Sequence, residues 1–131
     1  MKKIVLMGNP NVGKSVVFSR LTGARVVSSN YPGTTVDYYK GEMLLEKSRV
    51  EIIDAPGTYS LTPTNKAEEV AAEMLNEADL IINVVDATNL ERNLYLTLEL
   101  IQTKKPLIIA LNLWDEAKNT GIVIDHQALG T

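Results

Sequence analysis

Short apolar runs alternate with longer amphipathic stretches along most of this chain. Residues 3–7, 36–46, 49–54, 80–86 and 106–112 are rich in β-branched and aliphatic residues over strand-like lengths, and they read as strands. Residues 13–22, 65–76, 90–103 and 115–119 carry helical patterns. The second helix sets Val70, Ala71, Met74 and Leu75 on one face. Its Lys66, Glu68, Glu69 and Glu73 fall elsewhere and read as a solvated surface. The third repeats Leu90, Leu94, Leu98 and Ile101 at helical spacing, a stripe expected to face the core. Strands alternating with helices predict a mainly parallel sheet covered on both faces. Residues 36–46 and 49–54 meet at a Lys47-Ser48 corner and read as a hairpin, which adds an antiparallel edge strand. Residues 23–35 and 56–64 are rich in Gly, Pro, Ser and Thr and read as long loops.

Composition narrows the class. A length of 131 residues predicts one domain over residues 1–131, and 45% hydrophobic with 22% charged residues is ordinary for a globular fold. Cys is absent, so thiol-based metal or disulfide chemistry is excluded. Sixteen acidic against thirteen basic residues give a net charge of −3, which argues against a nucleic-acid partner. The apolar run after Met1-Lys2-Lys3 is too short for a secretory signal, and no run approaches a membrane span. The single His126 reads as a surface residue.

The candidate chemistry begins where the first strand ends. Gly8, Asn9, Pro10, Asn11, Val12, Gly13, Lys14 and Ser15 fit Gly-x4-Gly-Lys-Ser/Thr between a strand and a helix. That turn aims main-chain N–H groups and a helix dipole at one point, where an anion binds. Lys14 would reach the β- and γ-phosphates of a nucleoside triphosphate, and Ser15 would offer its hydroxyl to Mg²⁺. Asp54-Ala55-Pro56-Gly57 follows a buried strand: Asp54 is placed to hold Mg²⁺ through water, and Gly57 to bring an N–H to the γ-phosphate. Asn30-Tyr31-Pro32-Gly33-Thr34-Thr35-Val36 is a candidate nucleotide sensor, in which Thr35 rather than Thr34 would ligate Mg²⁺. Asn112-Leu113-Trp114-Asp115 closes the last strand. An Asn-x-x-Asp turn reads guanine in guanine-nucleotide proteins, with the Asp accepting from the ring N–H and the exocyclic amine. Capping a following helix is a second role compatible with that one for Asp115.

With these pieces in order, the chain resembles the N-terminal G domain of the prokaryotic ferrous-iron transporter B family. Residues 8–15, 30–37, 54–61, 84–94 and 112–115 carry the likeness, and residues 84–94 are its most distinctive part. The resemblance implies a P-loop GTPase-type three-layer α/β sandwich with one antiparallel edge strand on a mainly parallel sheet. It implies binding of GTP and GDP, slow GTP hydrolysis, Mg²⁺ at Ser15, Thr35 and Asp54, and a K⁺ ion at Asn11 completed by carbonyls near Tyr31 and Gly33. Lys14, Asn11, Thr35 and Gly57 are then the residues closest to catalysis. It further implies tethering to a membrane-embedded Fe²⁺ transport region, at the cytoplasmic face of the membrane. Two departures stand out. Thr58 follows Gly57 where a water-orienting Gln stands in Ras-like GTPases, and Leu113 replaces the usual Lys of the base-reading turn. No Ser-Ala pair follows Asp115, so the domain reads as C-terminally incomplete, with residues 107–112 left as an open sheet edge. The alternative is a soluble translation-factor-related GTPase of ribosome assembly or tRNA modification, which uses the same motifs.

Overall fold

A central strand with two apolar faces organises the molecule. In the computed structural model, which describes residues 2–10, 12–22, 26–115 and 119–125 with side chains through residue 111, β1 (Lys2–Gly8) occupies that place. It is followed by α1 (Lys14–Thr22), β2 (Val26–Asn30), β3 (Asp37–Leu45), β4 (Ser48–Asp54), α2 (Lys66–Asn76) and β5 (Leu80–Asp86). A 3-10 turn, Ala87–Asn89, then leads into α3 (Leu90–Gln102), β6 (Leu107–Asp115) and β7 (Asn119–Asp125). The strands form one seven-stranded sheet in the order β2-β3-β4-β1-β5-β6-β7. β4, β1, β5 and β6 run parallel. The pairs β2/β3, β3/β4 and β6/β7 are antiparallel.

The two-residue period of β1 divides the core. Ile4 and Leu6 pack with Val17 and Phe18 of α1 on one face. Val5 and Met7 pack on the other face, with Val70, Ala71, Met74 and Leu75 of α2 and Leu96 and Leu100 of α3. These are the three layers expected of a doubly covered parallel sheet. Among the described residues no helix is long and apolar enough to cross a membrane.

Four readings change. Residues 26–30 form β2 instead of a loop, because each residue finds a partner on β3 from Val26↔Gly41 to Asn30↔Asp37. The edge of β6 is not open, since β7 covers it from Ile109↔Asp125 to Asp115↔Asn119. Asp115 and Asn119, read as the two ends of a helix, instead end β6 and begin β7, and 116–118 lie outside the described residues. The apolar stripe of α3 points outward, with Leu90, Leu94 and Leu98 exposed by 43, 44 and 58%. The buried line is Asn93, Leu96, Thr97 and Leu100, two of them polar, and a hydrophobicity pattern is blind to such a face.

Candidate functional site

The carboxyl ends of β1, β4, β5 and β6 meet at one edge of the sheet, the place where open α/β folds bind ligands. β1 ends at Gly8, and the chain enters α1 through Gly13, whose φ of +87° suits a residue without a side chain. Gly13 then starts the helix: its carbonyl accepts from Val16 N (3.1 Å) and Val17 N (3.3 Å). Asn9 and Val12 are buried, Pro10 is half-buried, and Ser15 stands exposed on the first helical turn. Asn11 lies outside the described residues.

Asp54 and its followers are laid against this loop. Asp54 ends β4 in register with Leu6. Thr58 N donates to Gly8 O at 2.9 Å, and Ala55 N to Leu6 O at 3.3 Å. Gly57 passes so close that a Cβ there would sit 2.9 Å from Pro10 Cα, which explains a glycine at this position. Lys14 folds across the gap. Its ammonium donates to Asp54 Oδ1 at 2.7 Å and to Ala55 O at 2.8 Å, with both charged side chains largely shielded from water. The structure therefore brings Gly8, Asn9, Pro10, Val12, Gly13, Lys14, Ser15, Asp54 and Gly57 together. Ser15 and Asp54 offer hard oxygen donors beside the Lys14 ammonium, a set that fits Mg²⁺ with a phosphate and suits no soft metal. Among the described residues there is no cluster of three or more His, Cys, Asp or Glu that could hold a metal alone.

The segment after Gly57 is bolted down. The Thr58 hydroxyl is buried and donates to Ser60 O at 2.7 Å. Glu68, expected on a solvated face, is buried at 7% exposure. Its Oε1 accepts from Thr64 N (2.8 Å) and from the Thr64 hydroxyl (2.7 Å), and Oε2 accepts from Tyr59 N (3.3 Å). These bonds, the Thr64 hydroxyl first, hold its carboxyl below the ordinary 4.5. Glu99 of α3 accepts from Leu61 N at 2.9 Å. The sequence did carry a sign of this. Asn65 and Glu68 have the spacing of a capping box, and Asn65 Oδ1 does accept from Glu68 N at 2.8 Å.

The segment that carries Thr35 is held more lightly. Tyr31 N donates to Val36 O (2.9 Å), Thr34 N and its hydroxyl donate to Tyr31 O (2.9 and 2.8 Å), and Asn30 Nδ2 donates to Asp37 Oδ1 (2.6 Å). Tyr31 leans edge-on against Tyr38, with centroids 6.3 Å apart, and packs on the core under α2. Gly33 and Thr35 are exposed, and Thr35 makes no side-chain hydrogen bond. Thr34 is thus the structural residue of the pair. Asn112 and Asp115 lie near the end of β6, and Asn112 is in register with Asp86. Their side chains are outside the described set.

Comparison with known proteins adds three findings. A profile described as ferrous iron transport protein B matches residues 2–131. The Fe(2+) transporter FeoB of Salmonella typhimurium is 47% identical over 139 aligned residues, which take in 100% of this chain and 18% of that protein. The chain thus spans under a fifth of the length of that relative. Among solved structures, the GMPPNP form of the T. maritima FeoB cytosolic domain aligns with a TM-score of 0.83 at 42% identity, covering 90% of this chain and 48% of that one. A GDP-bound mutant of S. thermophilus NFeoB aligns with a TM-score of 0.77 at 49% identity, covering 86% and 44%.

Proposed function

This chain belongs to the ferrous iron transport protein B family, and on that premise we propose that it is the GTP-binding, slowly GTP-hydrolysing domain of a prokaryotic Fe²⁺ transporter. Residues 1–131 form one G domain, which works at the cytoplasmic face of the membrane, in one polypeptide with a membrane-embedded transport region. The observation that carries the reading is the junction of two backbones. The turn at residues 54–58 is pressed onto the loop after β1, with Lys14 between them. The GMPPNP and GDP that accompany the T. maritima and S. thermophilus relatives support a guanine nucleotide at this place.

Each residue has a physical task. Lys14 exchanges its Asp54 and Ala55 contacts for β- and γ-phosphate oxygens, while the loop N–H groups hold the diphosphate. Ser15, Asp54 and Thr35 hold Mg²⁺, which neutralises phosphate charge when bound. Thr35 comes from an exposed segment, so reaching the phosphates means that residues 31–36 move. Gly57 brings its N–H to the γ-phosphate. Asn112 and Asp115 read guanine. The buried, committed hydroxyl of Thr58 has no freedom to orient water, which supports an unassisted rate of about 10⁻⁴ to 10⁻² s⁻¹. K⁺ at Asn11 would offset phosphate charge on the family pattern, although Asn11 lies outside the described residues.

Single-turnover hydrolysis of GTP tests this reading. Wild type should turn over slowly, Lys14→Ala should lose at least a hundredfold in nucleotide affinity, and Asp115→Asn should shift preference from guanine to xanthine. Retained GTP binding in Lys14→Ala would remove the phosphate assignment. Equal rates in K⁺ and Na⁺, or K⁺ stimulation that survives Asn11→Ala, would remove the potassium site alone.

A further inference from the structure

The most distinctive stretch of the sequence, residues 84–94, has no task in the scheme above. Its side chains build a polar brace centred on buried Asn93 behind the nucleotide site. Asn93, at 3% exposure, spans both ends of the 3-10 turn: Oδ1 accepts from Asp86 N at 3.2 Å, and Nδ2 donates to Asn89 O at 2.7 Å. Asp86 Oδ1 in turn accepts from Thr88 N (2.8 Å) and the Thr88 hydroxyl (2.6 Å). Asp86 is also the residue of β5 in register with Asn112 of β6. On the phosphate side, the Asn9 side chain reaches the start of α3. It is 2% exposed, and its Nδ2 donates to Arg92 O at 3.4 Å. Asn83 donates to Met7 O at 3.1 Å and accepts from the Thr97 hydroxyl, which ties α3 to the strand just before the loop.

The first turns of α3 are thus fastened on one side to the phosphate loop and on the other to the end of β5, whose Asp86 is in register with Asn112 of β6; residues 112–115, read from the sequence as a turn, continue β6 as a strand. Asn9 Oδ1 has no hydrogen-bond partner among the described residues. A buried orphan acceptor costs stability, so this carboxamide is poorly explained as a stabilising contact alone.

We propose that Asn9 and Asn93 are positioning residues. Asn9 sets the phosphate loop against α3, Asn93 sets the Asp86–Asn112 end of the sheet against the same helix, and α3 is the spacer between the two halves of the nucleotide site. This rests on the guanine-nucleotide reading above. The Asn9 side chain is committed to Arg92 O and the Asn93 side chain to Asp86 N and Asn89 O, so both act through the elements they hold. Each acts on one half, so their loss separates what a general loosening would not.

Calorimetric affinities for GDP, GMP and IDP test this with two ratios. The GDP-to-GMP affinity ratio reports the β-phosphate, and the GDP-to-IDP affinity ratio reports the guanine amine. Asn9→Ala should shrink the first about five- to tenfold and leave the second within about twofold, on the scale of one well-placed hydrogen bond. Asn93→Leu, similar in size but unable to bond, should do the reverse. Leu100→Ala loosens α3 through its apolar face and should move neither ratio. Should Asn93→Leu not fold by circular dichroism, Asn93→Asp reads the same ratio, since it keeps the acceptor for Asp86 N but sets an oxygen against Asn89 O. An Asn9 or Asn93 variant that still binds GDP but shifts both ratios together, or neither, overturns the proposal. A wild-type chain that binds no GDP overturns the functional reading and this inference with it.

Discussion

Two segments flank the phosphate loop, and they are fastened in opposite ways. Residues 56–64 hang from buried or half-buried groups: Glu68 holds Tyr59 and Thr64, half-buried Glu99 holds Leu61, and Thr58 is fixed to Gly8. Residues 30–37 are pinned by short-range bonds in partly or fully exposed surroundings and by one half-buried ring, Tyr31. Bonds to a buried carboxylate are expensive to break, because the charged group is left without partners away from water. Bonds near water exchange partners at little cost. The contrast assigns rigidity to one loop and travel to the other, and it puts the proposed nucleotide sensor, Thr35, on the loop that can move.

The largest test of that contrast is Glu68→Ala. It removes three hydrogen bonds to a charged group, from Tyr59 N, Thr64 N and the Thr64 hydroxyl, and should cost about 2–4 kcal/mol by chemical denaturation. A cost below about 1 kcal/mol would mean that the 56–64 segment is held by something else. Acid should act on the same loop next. The Glu68 carboxyl lies below its ordinary 4.5 in the folded chain, so the unfolded chain takes up its proton more readily. Its stabilisation is complete above that ordinary value and is lost as pH falls through the lower folded one. Amide exchange at Tyr59 and Thr64 should therefore accelerate in acid beyond its intrinsic pH dependence, and more than at Tyr31 and Thr34. The same acceleration in both segments would erase the distinction. Tyr31→Ala, which removes the one aromatic pin of the lighter loop, should cost about 1 kcal/mol, near the lower end for a partly buried ring. Thr35→Ala should change stability by no more than about 0.5 kcal/mol, because its side chain is exposed and unbonded. It should nonetheless abolish any preference for GTP over GDP in Mg²⁺. A destabilisation as large as that of Glu68→Ala would show that the two loops are alike.

The same contrast marks what could be read from residues alone. The phosphate loop was legible because its chemistry depends on backbone turns that only Gly13 and Gly57 allow and on a strand and helix of clear period. The apolar face of α2 was legible for the same reason. Glu68 was not, since its carboxylate satisfies backbone donors far along the chain and a hydrophobicity pattern counts it as surface. On α3 the pattern pointed to the wrong face, because Asn93 and Thr97 are buried by bonding to Asp86, Asn89 and Asn83 while three leucines stay exposed. β2 was hidden in a Ser-, Asn- and Val-containing stretch that becomes a strand by pairing with β3, a non-local event. Asn11 was singled out by sequence, and its placement falls outside the described residues.

Isothermal calorimetry of GDP against the folded, nucleotide-stripped chain, with ADP as the competitor, bears most directly on the whole account. A saturable heat of one GDP per chain, absent with ADP and lost in Lys14→Ala, is the expected result. A folded chain that gives no heat with GDP, or the same affinity for ADP, would contradict it.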